Sequence, residues 1–316
     1  MRDVNDRVSG LPSNVQRCAV TVGTFDGVHR GHFDVLSRLA ALATSEGMAS
    51  VLVTFVPHPT EILRPGTAPL LLTPGMEKFE ALATIGIDYC AVLPFTRELA
   101  SLTAADFVRD VLRPRFRMEA LLIGHDHGFG RDRAGGREQL LALGKSDGFL
   151  VSQVAPVALP DGTAVSSSAI RRAVAGGEFE VARRSLGRRY SISGVVQRGD
   201  QRGRTIGFPT INLGVPDARK LLPPPGVYAA IVQTPGGPYG AMMNLGARPT
   251  VDDPRATVEA HLFDFEGDLY GASVRVDLVA AIRPIQRFSD LQALTAQLAA
   301  DGEAARTALT QFARTG

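Results

Sequence analysis

The chain has no tryptophan, only two cysteines in 316 residues, and aromatic side chains make up just 6% of it. Sparse aromatics leave little to stack on bases. With 34 Lys and Arg against 32 Asp and Glu, the formal charge is +2, too small to argue for a nucleic-acid or anionic-membrane partner. Any anion must therefore be held locally. Cys18 and Cys90 sit in apolar surroundings without CxxC or metal spacing, so both read as buried, reduced thiols rather than disulfide or metal ligands. No uninterrupted apolar run approaches the ~18 residues of a membrane span, and the polar start MRDVNDRVSGLPSN fits a cytoplasmic protein. Internal repeats and low-complexity segments are also missing. What remains, 45% apolar and 21% charged residues, is ordinary globular usage, and the length suggests two domains.

From Arg17 to Pro156, β-rich runs (CAVTVG, ASVLVTFV, DYCAVLPF, EALLIG, FLVSQVAP) alternate with helical ones, which reads as a parallel sheet with crossover helices. A first helix begins near Val28, carries Val35, Leu36, Leu39, Leu42 and Ala43 on one face and stops at Gly47. A second is expected from Thr73 with Pro74 in its first turn, and a third opens on the capping-box pair Thr103 and Asp106. Short helices follow over Ser168 to Ala175 and Glu178 to Leu186. After Gly187 the runs SISGVVQRG, GVYAAIVQT, GAMMNLG, TVEAHLFDF and SVRVDLVAAI are separated by Gly, Pro and Asp clusters without helices, the pattern of an antiparallel barrel or sandwich. The tail from Ser289 to Phe312 reads as helical. The expected domains are residues 1–187 and 188–316.

Ligands of open parallel sheets bind at the carboxyl ends of the strands, and there the unusual polar clusters fall. The first strand ends in GTFDGVHRGH, the second in Pro57, His58 and Pro59, the fourth in GHDHGFG, and the fifth leads to SSSAIR. In GTFDGVHRGH the glycines allow close backbone approach, free helix N–H groups face an anion, and His29 and His32 lie one turn apart as donors to a polyphosphate. The spacing could also chelate a metal, but no third ligand is obvious beside it. Residues alone thus give a phosphate-binding α/β site.

GTFDGVHRGH resembles the GxFDGxHxGH signature of nucleotidyltransferases, and VSSSAIR resembles their ISSTxIR motif. Downstream, GVVQRGDQRGRTIGFPTINL resembles the GxVxxGxxxGRxxGFPTAN segment of riboflavin kinases, followed by GVYA, NLGARPT, a Glu in TVEAHLFDF, and LYG. In this order, over residues 18 to 310, the motifs resemble the bacterial bifunctional riboflavin kinase/FMN adenylyltransferase family, the FAD synthetases. That resemblance implies an N-terminal Rossmann-like nucleotidyltransferase domain and a C-terminal antiparallel β-barrel with a terminal helix. The barrel would phosphorylate riboflavin to FMN with ATP and Mg²⁺. The N-terminal domain would adenylylate FMN to FAD with release of pyrophosphate.

Carried over by motif, His29, His32 and Arg171 would act in adenylyl transfer. Gly23, Thr24, Phe25, Asp26, Gly27 and Gly31 would shape its ATP pocket, and Ser166, Ser167 and Ser168 would hold phosphates. Asp126 would lie near the flavin. His58 would frame the isoalloxazine or simply turn the chain. In the kinase, Gly199, Gly203, Gly207, Phe208 and Pro209 would approach ATP, and Thr210 and Asn212 would also ligate the metal. Glu259 would be the general base; strand alternation puts it on one face with His261 and Phe263. The chain departs from the family pattern at Thr24, His127, Ser168, Ile211 and Ile285. Partners are expected to be small molecules, with neither nucleic acid nor membrane, and self-association is left open. The rival readings are a single-activity cytidylyl- or adenylyltransferase, which would lack GFPT and NLG, and a flavin-binding regulator that keeps the fold without turnover.

Overall fold

Runs of β-branched and aliphatic residues buried on both faces favour parallel strands, and in the computed structural model of the protein they form them. The structure describes residues 1–3, 11–125, 130, 136–199, 202–214, 217–247 and 256–315, in two units, Met1–Ser166 and Ser167–Gly316. In the first unit a short β1 (Arg2–Asp3) joins the five expected strands, β2 (Cys18–Val22), β3 (Ala49–Val56), β4 (Tyr89–Pro94), β5 (Met118–Ile123) and β6 (Leu150–Gln153). All are parallel, in the order β1-β4-β3-β2-β5-β6. Strand alternation splits the core into two layers. Val20, Val22, Val51 and Val53 pack on Phe107, Val108, Leu112 and Phe116, while Ala19 and Leu52 pack on Leu36, Leu39 and Leu82.

Helix α1 (Arg30–Ser45) buries Leu36, Leu39 and Ala43, the stripe its periodicity gives. His58 N-caps a short α2 (Pro59–Leu63) that the sequence reading did not contain. The next helix, α3 (Met76–Ala83), starts after Gly75 and not at Thr73. The N–H and hydroxyl of Thr73 are drawn to Asp26 and Gly27 instead, and Gly75 leaves helical space at φ +53°. Beyond α4 (Arg97–Ser101), Thr103 and Asp106 do form the expected capping box, at the head of α5 (Ala104–Asp106). That helix continues as a π-helical stretch, Phe107–Leu112, and α6 (Arg113–Phe116); α7 (Arg137–Asp147) follows.

The second unit opens with α8 (Ser167–Ala175) and α9 (Phe179–Leu186). Both belong with the barrel by packing; the Phe179 ring meets Tyr228 edge-on at 5.5 Å. After β7 (Ser191–Gln197) come α10 (Arg202–Thr205), β8 (Ile211–Gly214), β9 (Gly226–Thr234), β10 (Gly237–Ala247), β11 (Ala256–Leu262) and β12 (Ser273–Pro284). The strands close into a barrel, β10-β11-β8-β7-β12-β9. Closure needs β8, whose residues the β-like runs of the sequence did not include. Helix α11 (Leu291–Thr315) lays Leu298, Ala305, Ala308 and Leu309 on Val227, Ala229, Met242 and Phe263, covering part of the barrel's outer face.

Candidate functional sites

The central strand β2 has β3 on one side and β5 on the other, so the chain reverses its direction of travel across the sheet at β2/β5, the place where such sheets bind ligands. Residues 23–29 leave β2 there. Gly23 stays on the sheet edge, its N–H donating to the Val53 carbonyl at 3.0 Å. The backbone then passes through positive φ at Phe25 (+49°), Gly27 (+85°) and Val28 (+39°). For a β-branched residue such as Val28 that conformation is costly, so its surroundings must hold it. The buried Asp26 carboxylate accepts hydrogen bonds from the N–H groups of Leu72 and Thr73 at 3.0 Å, and the Thr73 hydroxyl accepts from Gly27 N–H at 2.8 Å. Asp26 thus shapes the loop by tying it to the segment before α3.

This turn aims the start of α1. His29 is its N-cap, with Nδ1 accepting from His32 N–H at 3.3 Å. The two imidazoles stack at 3.7 Å and 15°, and Phe25 leans on His32 at 4.9 Å. No acidic residue stands in the first turn, which includes Gly31, so the positive end of the helix is not neutralised by its own side chains. Stacked, nearly parallel rings hold their lone pairs in separate planes that do not converge on one ion, and no cluster of three metal-ligating side chains exists among the described residues. The arrangement suits donation to an anion. Sequence reasoning missed two contributors, Thr54 and Lys78. The Lys78 ammonium donates to Thr24 O at 3.3 Å and Thr54 Oγ1 at 3.2 Å. Helical spacing held the clue, since Lys78 lies one turn before the buried Leu82.

In the barrel, register assembles the site. Asn212 of β8 and Asn244 of β10 both pair with Glu259 of β11, and Gln197 pairs with Asn212. Directly opposed residues share a face, so Asn212, Glu259 and Asn244 form a row. Val258, Ala260 and Leu262 are buried in the barrel, so the row lies on the outer face, as alternation required. His261, on the same face, bonds through Nδ1 to Pro209 O at 2.8 Å and meets the Phe208 ring at 5.4 Å, bringing the Phe208–Thr210 segment beside the row. A side chain at Gly199 would put Cβ 2.3 Å from the Asn212 amide, and one at Gly203 would sit 2.2 Å from Phe208 O. Gly207 takes φ +83°. Asn244 was not singled out, because only pairing reveals that it flanks Glu259.

His58 is half-buried and engaged in a capping box with Glu61. Ser166 ends the first unit, whereas Ser167, Ser168 and Arg171 lie on α8 of the second. Asp126 and His127 lie outside the described residues, as does the end of NLGARPT from residue 248. Ile211 alternates with Asn212 toward the opposite face, and Ile285 is exposed.

A parallel-sheet unit with an anion-ready helix start, joined to a closed barrel with a carboxylate flanked by two amides, defines a two-part nucleotide-dependent transferase. Residues 11–169 match the FAD synthetase family model and residues 186–309 the riboflavin kinase model. The chain belongs to the bifunctional riboflavin kinase/FMN adenylyltransferase family. It is 40% identical to the protein of that description from Escherichia coli K12, over 92% of both chains, and 32% identical to that of Bacillus subtilis, again over 92% of each. A solved Streptococcus pneumoniae structure, described as a macrolide-efflux protein, aligns at 32% identity with TM-score 0.84, covering 96% of this chain and 98% of that one. What that likeness supports is the shared fold. Among the described residues no helix is long and apolar enough to cross a membrane.

Proposed function

We propose that the chain runs its family's two reactions in separate places, FMN adenylylation in residues 1–187 and riboflavin phosphorylation in residues 188–316. The observation that carries this reading is that each family match contains its own polar constellation, His29–His32 at the head of α1 in one and Asn212–Glu259–Asn244 in the other.

In adenylyl transfer the nucleophile is the FMN phosphate, already an anion, so no base is needed and positioning and charge stabilisation do the work. His29, His32 and the first N–H groups of α1 bind the triphosphate. On motif resemblance alone, Ser166 is assigned to the departing pyrophosphate, and Ser167, Ser168 and Arg171 continue the same motif on α8 of the second unit. In phosphoryl transfer the riboflavin 5′-hydroxyl is a poor nucleophile until its proton has an acceptor, and Glu259 is that base. The neutral oxygens of Thr210 and Asn212 suit Mg²⁺ that bonds mainly to nucleotide phosphates, and a side chain at residue 199 would displace the Asn212 amide from its present position. When bound, that ion would offset phosphate charge. Use of ATP in both steps fits a cytoplasmic setting.

The test is to incubate the pure protein with riboflavin, ATP and Mg²⁺ and to separate the flavins by chromatography. FMN followed by FAD is expected. A fragment starting at Ser167, which keeps α8 and α9 on the barrel, should make FMN but no FAD. If that folded fragment converts FMN to FAD, the division of labour is wrong.

A further inference from the structure

Among the described residues of the first unit, the buried Asp, Glu, Lys and Arg side chains are Asp26 and Lys78, and both brace the same loop. Asp26 holds it from one side through Leu72 and Thr73. Lys78 reaches it from α3, binding Thr24 O directly, while Thr54 Oγ1 also donates to that carbonyl at 3.2 Å. Both hydrogen-bond acceptors of the ammonium are therefore neutral oxygens. No carboxylate among the described residues makes an ion pair with it, although Cys90 and, less strongly, Asp26 act on it through space. Burying a cation this way is costly, and burial pulls the Lys78 pKa below its ordinary value. A neutral side chain of similar length would fill the same space more cheaply. A polyphosphate held at the adjoining start of α1 would supply a counter-charge.

We propose that Lys78 is a positioning residue for adenylyl transfer. It fixes the Thr24 carbonyl, and with it the turn that presents His29 and His32. Its charge, held behind the loop, favours the triphosphate of the donor and the pyrophosphate that departs. The proposal rests on the reading that the His29–His32 site carries adenylyl transfer.

Lys78→Met removes charge and hydrogen bonds together, and Lys78→Gln keeps a donor without the charge. In both, kcat for FMN adenylylation should fall by about tenfold or more, while KM for FMN stays within about twofold. Riboflavin phosphorylation by the same preparations should be unchanged. Folding of the first unit is read from Cys18 and Cys90, both buried free thiols of that unit, which a thiol reagent should not reach in a folded variant. If Lys78→Met opens the thiols, Lys78→Gln decides by the same criteria. A Gln variant at wild-type rate would reduce Lys78 to an uncharged brace and overturn the proposal. So would two variants at wild-type rate, or exposed thiols in both. His32→Ala is assayed alongside. If it leaves adenylylation intact, the underlying reading fails; if it impairs adenylylation while both Lys78 variants do not, the Lys78 proposal alone fails.

Discussion

The sheet site comes from one continuous stretch, residues 23–32, with outside support from Thr54, Thr73 and Lys78, whereas the barrel site draws Asn212, Asn244 and Glu259 from three strands. In the first, the backbone is the working surface and buried polar groups hold it in a conformation that Val28 would not choose. In the second, the backbone is ordinary ladder and side chains in register are the working surface. Under the functions proposed for the two sites, the difference would follow from the chemistry. Holding a polyphosphate needs N–H groups and diffuse positive charge, which a helix start supplies. Deprotonating a hydroxyl needs one carboxylate at one place, which a rigid strand supplies.

If the sites are independent, single substitutions should separate the activities cleanly. The largest effect is expected from Glu259→Gln, which keeps shape and removes basicity. Riboflavin phosphorylation should fall by about 10²- to 10⁴-fold with FMN adenylylation and riboflavin affinity little changed. Near wild-type kinase turnover at saturating ATP and Mg²⁺ would remove Glu259 from the mechanism and leave its same-face neighbour His261, or substrate-assisted proton transfer, as the candidate. The reciprocal change, His32→Ala, should lower FAD formation by about 10²-fold and spare FMN formation. Loss of both activities in a folded His32→Ala protein would break the comparison.

The two sites were unequally legible in the sequence. Residues 23–32 are local, so glycines, Asp26 and the histidine spacing could be read directly, and the structure shows how Gly23, Asp26, Gly27 and the two histidines are held. Asp26 bonds two N–H groups more than forty residues away, which no local pattern encodes. The sheet's strands and the stripe on α1 followed from periodicity. The start of α3 did not, because Thr73 and Pro74 have the chemistry of a helix start but Thr73 is claimed by a tertiary contact. In the barrel, alternation correctly paired Glu259 with His261. It could not supply register, so Asn244 went unnoticed and β8 was not counted as a strand.

A smaller effect sharpens the barrel half. Gly199→Ala places Cβ against the Asn212 amide, the mobile end of a side chain and not backbone, so the amide should move and the fold should not. Kinase activity should fall by about tenfold, chiefly through weaker use of ATP and Mg²⁺. Thermal stability should shift little. A large stability loss instead would mean that Gly199 serves the barrel's closure and not its site.

The smallest effect concerns alkaline pH, because both cysteines lie in the sheet unit. Cys18 is buried at the start of β2, and burial pushes its thiol up to about 12 from an ordinary 9.0. A thiol is neutral when protonated, so above pH 9 the unfolded chain releases a proton that the native state keeps. That difference favours unfolding, and stability should fall as pH rises from 9 toward 12. Lys78 acts with the opposite sign: its pKa is lowered by burial, so the unfolded chain binds the extra proton and stability rises with pH up to about its ordinary value of 10.5. Tyr228 in the barrel, also raised by burial, has the sign of Cys18 but acts only above its ordinary 10.0. The absolute profile mixes these contributions, and Cys18→Ala isolates one of them. Urea unfolding followed from pH 8 to 11 should lose stability less steeply in Cys18→Ala than in wild type, with the divergence starting near pH 9. Parallel slopes would mean that the thiol keeps its ordinary acidity in the fold.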